Sequence, residues 1–241
     1  MTRPSGVAQV GGLRRRYSAE VSRARAFHLL TSLVAAFAVV LQLVLVVKGH
    51  RVLDEHNRPD LGTRLVRFCS YLTIWFNVLV AWSTYTLATG RDRDTRLWRA
   101  LRLDAVVLAT VGGLVHFFFL LPLLDLAGWD FVADKLLHMA VPALALVGWL
   151  VFGPRGRAGR RDLVPFLVVP VGWLGYTLVR GALVDWYPYP FIDVGEHGYA
   201  VVLVNALGIA AAMVLAAWGA TLLDRRLGGR AAEVGNVPTS P

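Results

Sequence analysis

The chain has 241 residues, 56% hydrophobic and only 17% charged, where soluble domains carry about 25% charged residues. Its apolar residues fall in long blocks, which excludes a soluble globular fold and points to helices of about 20 residues that cross a bilayer. The net charge of +9 is set by arginines between those blocks, which reads as membrane topology and attraction to anionic lipid, with no nucleic-acid partner.

Residues 1–25 are predicted to be a basic cytoplasmic segment, with Arg14, Arg15, Arg16, Arg23 and Arg25 ahead of the first span, Ala26–Val47. That span is full length and lacks a signal-peptide pattern, so it is expected to be retained. The next loop holds Lys48, Arg51, Arg58 and Arg64 with Asp54, Glu55 and Asp60, a mild exception to the charge rule. The second span, Leu65–Thr89, carries Ser70, Thr73, Asn77 and Thr84, expected on one helix face, and Cys69, the sole cysteine, which precludes an internal disulfide. Arg91, Arg93, Arg96, Arg99 and Arg102 follow. The third span, Leu103–Leu124, contains His116 and the aromatic run 117–119; its exit loop "DLAGWD" has no Lys or Arg. The fourth, Val132–Gly153, contains Asp134, His138 and Pro142 and leads to Arg155, Arg157, Arg160 and Arg161.

The fifth span, Leu163–Val184, contains Pro170, Tyr176 and Arg180, and its exit loop "DWYPYPFIDVGEH" is again free of Lys and Arg. The sixth, Tyr199–Leu223, contains Asn205 and a run of small residues, then Arg225, Arg226 and Arg230. Residues 224–241 are predicted to be a disordered cytoplasmic tail. The expected fold is therefore all-α: a polytopic integral membrane protein with one six-transmembrane-helix bundle over 26–223, multi-pass in the plasma (cytoplasmic) membrane. Both termini are placed in the cytoplasm and loops one, three and five outside. Oligomeric state is not legible.

Polar groups inside spans are costly and need an account. Helical rise places Thr73 roughly 12 Å and His138 roughly 9 Å from the outer ends of their spans, so the two are expected at one level. His116, Tyr176, Arg180 and Asn205 fall near that level, and Asp134 precedes His138 by four residues on the same face. The inner halves look poorer in such groups. Each residue also has a plainer role: Thr73 and Asn77 as interhelical hydrogen-bonding groups, Arg180 as a snorkelling cation, the loop aromatics as interfacial belt.

The stretches "RFCSYLTIWFNVLVA", "LLHMAVPALALVGWLVF" and "YPYPFIDVGEHGY" resemble signatures of the bacterial Pr-six-Pr family of six-span membrane proteins. That group is distantly similar to the eukaryotic androgen-induced-gene family, which includes membrane hydrolases of fatty acid esters of hydroxy fatty acids. The resemblance implies an intramembrane threonine nucleophile at Thr73 and a histidine at His138, with a "YPF" motif at Tyr189–Phe191. The interval from His138 to Pro142 is one residue off the eukaryotic pattern, and a second histidine there has no counterpart here.

Ester hydrolysis needs a nucleophile, a base and an oxyanion partner. Thr73 would attack, His138 would take and return the proton, and Asp134 would orient it. Asn77 or Asn205 would face the oxyanion, while Arg180, Tyr176 and His116 would line the substrate, a membrane lipid or lipid ester. No cofactor is expected. A zinc hydrolase built from His116, His138 and His197 with Asp134 or Asp193 is one rival. The other is a non-enzymatic lipid or small-solute binding or transport protein in which Thr73 and His138 only line a cavity.

Overall fold

The structure, a computed structural model, describes residues 6–50, 59–92 and 94–235. Nine α-helices account for most of them: α1 (Gly6–Lys48), α2 (Leu61–Ser70), α3 (Leu72–Thr89), α4 (Arg96–Val115), α5 (Gly128–Lys135), α6 (Val141–Phe152), α7 (Leu163–Phe166), α8 (Val168–Val184) and α9 (Val194–Gly235). Five stretches are long and apolar enough to cross a membrane, and six if α2 and α3, bent by 66°, form one span. By length and hydropathy the chain is a multi-pass membrane protein.

Helices α1, α3, α4 and α6 close into a four-helix ring, and α9 and α7 join it through α4. Ala35, Ala38, Val80, Leu108, Ala109 and Val141 meet in the middle with no exposure. Small residues on α1 and α4 let the backbones approach, the usual device where lipid and core are equally apolar.

Three local irregularities position the site. The first is the break at Tyr71, which takes an extended conformation (φ −74°, ψ 126°) between α2 and α3. A broken helix leaves backbone groups unpaired, which the membrane interior penalises. Here the Trp173 indole donates to the Ser70 carbonyl (2.8 Å), the Trp75 indole donates to the Cys69 carbonyl (2.7 Å), and the Thr73 amide donates to Tyr189 Oη (3.3 Å). Because of the break, Ser70 does not share a face with Thr73, Asn77 and Thr84, contrary to what the spacing suggests. Its hydroxyl instead donates back to the Val66 carbonyl (2.7 Å) and meets Tyr176 Oη (2.9 Å).

The second is a pair of π-helical turns, His116–Leu120 after α4 and Leu136–Ala140 between α5 and α6. Pro122 and Pro142 lie just beyond them. Each lacks an N–H for the carbonyl one turn back, which favours local rearrangement of the ladder. The third is the turn 185–193 between α8 and α9, whose Phe191 carbonyl accepts from the Asn205 side chain (2.9 Å).

At the opposite end the helices outrun the edges that hydropathy sets. Helix α4 already begins at Arg96, and α9 continues through Asp224 to Gly235, where composition predicts an unstructured tail. Asp224 is buried and accepts from the Ala158 amide (2.8 Å), which ties the helix to the 153–162 loop; residues 236–241 lie outside the described residues. Arg102, Asp104 and His28 are buried at this end too, so polar groups are not confined to one side of the bundle. Arg102 donates to the Gly153 carbonyl, and Arg157 pairs with Asp92 (2.5 Å). Val80, Leu108 and Val141 belong to the buried apolar cluster of the bundle.

Candidate functional site

The break at Tyr71 makes Thr73 the second residue of α3, with its backbone amide and its hydroxyl both at the helix N-terminus. Its Oγ1 lies 3.2 Å from His138 Nε2 and 3.2 Å from Tyr189 Oη. The directions close without conflict. Tyr189 Oη accepts from the Thr73 amide, leaving its own proton to donate to Thr73 Oγ1; the Thr73 hydroxyl is then free to donate to His138 Nε2. Burial pushes the Tyr189 phenol above its ordinary value, so it remains a neutral donor.

On the far side of the imidazole, His138 Nδ1 lies 3.1 Å from the Asp134 backbone carbonyl and 3.1 Å from Asp134 Oδ1. The backbone carbonyl accepts from Nδ1, which holds the proton there and presents Nε2 as a base, with the carboxylate beside it. Asp134 Oδ1 also lies 3.0 Å from His116 Nε2, and Lys135 Nζ lies 3.1 Å from Asp134 Oδ2. The His116 and His138 rings stack, with centroids 3.7 Å apart and planes within 7°. The His116 contact is close but off the N–H axis, and His116 Nε2 has no aligned hydrogen bond. The two π turns account for this meeting: each sits at the histidine-bearing level of its span.

Two cavities share Thr73, His116, His138 and Tyr189. One, of about 650 Å³, runs past Phe68, Leu120 and Leu124 to Gln42 and Asp130. The other, of about 860 Å³, runs past Phe76 and Trp173 to Leu167, Ala210 and Met213.

Other predicted residues sit elsewhere. Asn77 is fully buried one turn below Thr73, but its amide donates to the Thr73 and Leu137 carbonyls (2.8 and 3.3 Å), tying α3 to the His138 segment. Asn205 is spent on the Phe191 carbonyl and so braces the Tyr189 turn from behind. Tyr176 and Arg180 line neither cavity; Tyr176 meets Ser70, and the Arg180 guanidinium lies 5.0 Å from the Trp186 ring centre. His197 is at the surface beside Glu196 (3.8 Å). His50 pairs with Asp130 (2.7 Å), His28 is buried against Phe152, and His56 lies outside the described residues. Sequence reasoning misses Tyr189 as a site residue. The "YPF" motif is the available signal, but a loop aromatic reads first as interfacial belt.

No family model, curated protein or solved structure matches the chain.

Proposed function

We propose that the protein hydrolyses carboxylic esters of membrane lipids, with Thr73 as nucleophile and His138 as base. The reading rests on one observation: Thr73 Oγ1 lies 3.2 Å from His138 Nε2, with Asp134 behind the ring and a cavity on either side. A threonine hydroxyl is inert at its own pKa and needs such a base. The resemblance to the Pr-six-Pr and androgen-induced-gene families points to the same two residues. The charge pattern puts this end of the bundle outside and the arginine-rich loops in the cytoplasm.

In the first step Thr73 Oγ1 attacks the ester carbonyl carbon as its proton passes to His138 Nε2. The carbonyl π pair moves onto oxygen. That oxyanion faces the Tyr189 O–H and the positive N-terminal end of α3. Collapse breaks the bond to the alcohol, which leaves with the proton from His138. A water that His138 deprotonates then attacks the acyl-threonine, releases the acid and restores Thr73.

A second reading has its own observation: ligand atoms of His116, Asp134 and His138 lie within 4.8 Å of one another, as in a site for a divalent metal. A metal lies in the plane of each imidazole that binds it, about 2.0–2.1 Å from nitrogen for zinc. Two rings stacked in near-parallel planes do not share such a point, so one must turn first. His197 and Asp193, part of the zinc set expected from sequence, are not in this cluster. Lipid or small-solute binding or transport, with Thr73 and His138 only lining the cavities, is the non-enzymatic alternative.

The test is ester hydrolysis by the purified protein beside Thr73→Ala and His138→Ala. The reading expects turnover that falls at least about 10³-fold in both variants. Equal rates in all three remove it.

A further inference from the structure

The two cavities at Thr73 differ in how their polar groups are arranged. In the larger one every polar side chain, Thr73, His116, His138 and Tyr189, sits at a single end. Beyond them the walls are Leu167, Pro170, Leu174, Ile209, Ala210 and Met213, contributed by the α7–α8 segment and α9. The smaller cavity has a richer polar lining, with Asp134, Asp130 and Gln42 added to the four shared residues. An acyl ester has the same asymmetry: a carbonyl with an unbroken hydrocarbon chain on one side and an oxygen-bearing leaving group on the other. Val171, on the rim of the larger cavity, is 60% exposed on a helix whose outer face meets lipid, so this cavity reaches the membrane side between α8 and α9.

We propose that the α8–α9 cavity is the acyl-chain site, that chains reach it sideways from the bilayer, and that Ala206, Ala210 and Met213 set the length accepted. The smaller cavity then takes water and the departing alcohol. This inference rests on the hydrolase reading for its chemistry but makes a separate claim about where the chain lies. Ala206 to Met213 spans seven residues of α9, about 10 Å at about 1.5 Å per residue. Ala206 and Met213 are buried, and Ala210 is half-buried between them. Small side chains at 206 and 210 leave the space, and Met213 closes its far end.

The experiment has two arms. In the binding arm, a fatty acid carrying a photoreactive diazirine near its tail is irradiated with the reconstituted protein, and the adduct is located by peptide mass spectrometry. The expected label falls on α9 between 206 and 213 and on α8 near Leu174. It persists in Thr73→Ala and drops about tenfold in Ala210→Phe, which fills the cavity. In the kinetic arm, esters of graded chain length are compared. Ala206→Leu and Ala210→Leu are expected to shift the optimum toward shorter chains, and Met213→Ala toward longer ones. Label spread over the outer helix faces and indifferent to Ala210→Phe overturns the acyl site whether or not the protein hydrolyses esters. Loss of turnover with the label still on α9 would instead count against the hydrolase reading alone.

Discussion

His116 and His138 lie face to face, ring centroids 3.7 Å apart, and Asp134 Oδ1 sits 3.0 Å from a nitrogen of the first and 3.1 Å from a nitrogen of the second. One carboxylate thus lies against two imidazoles, and only His138 reaches Thr73. Replacing Asp134 by Asn keeps the volume but removes the charge that favours an imidazolium during the reaction. Turnover is expected to fall by about 10²-fold or more, with KM little changed and the same elution in detergent. Unchanged kcat would show that the backbone carbonyl of Asp134 is sufficient to orient the ring.

The same three residues separate the two chemical readings. If Thr73 and His138 work as a pair, purified protein is expected to hold well under one zinc per chain, and its turnover is expected to survive a strong chelator. Equimolar zinc, lost together with activity, would favour the metal reading. A metal on His138 Nδ1 would leave Nε2 carrying a proton and unable to accept one from Thr73.

Tyr189→Phe removes the donor at Thr73 Oγ1 and the acceptor of its amide, with little change in volume. A fall in kcat of roughly 10- to 100-fold is expected. The pH profile adds a sign. Burial raises the phenol above its ordinary value of 10.0, so the neutral donor and the stability tied to it are fully present below that value. The neutral donor is lost only as pH rises through the higher folded-state value, while the stability falls across the interval from the ordinary value up to it. No alkaline loss of activity from this residue is expected near pH 10, and the Tyr189→Phe variant is expected to lack that limb altogether.

Glycine substitutions test the packing that brings the histidines together. A Cβ on Gly113 would lie 2.7 Å from the His138 carbonyl oxygen and 3.3 Å from the Pro142 ring, so α4 and the His138 segment must part. Gly113→Ala is expected to cost about 1–3 kcal/mol and to depress turnover. Gly172, on the exposed face of α8, has nothing within 4 Å of the same atom. Gly172→Ala is expected to be neutral or to stabilise by up to about 1 kcal/mol. Thermal unfolding in detergent reads both.

Much of the site was legible because helical rise converts residue counts into depth. Counting from the span edges alone puts Thr73, His116 and His138 at one level, where they meet, and the four-residue interval puts Asp134 on the His138 face. What depth does not fix is azimuth and local register. The break at Tyr71 turns Ser70 away from the Thr73 face, and two π turns re-aim the histidines. Tyr176 and Arg180 belong to a part of α8 that faces Ser70 and Trp186. Asn205 points to the turn it supports. Tyr189 lies in a loop, where no periodicity applies. At the arginine-rich end the hydropathy edges hide buried Arg102 and Asp224, because charged residues within a helix look like loop to any count of apolar residues.

The nucleophile itself can be weighed. Intact-mass and peptide analysis of the protein after exposure to an alkyl fluorophosphonate should place a single covalent adduct on Thr73 Oγ1, absent in His138→Ala and in Asp134→Asn. An adduct on another residue, or none at Thr73 while ester turnover continues, contradicts the account.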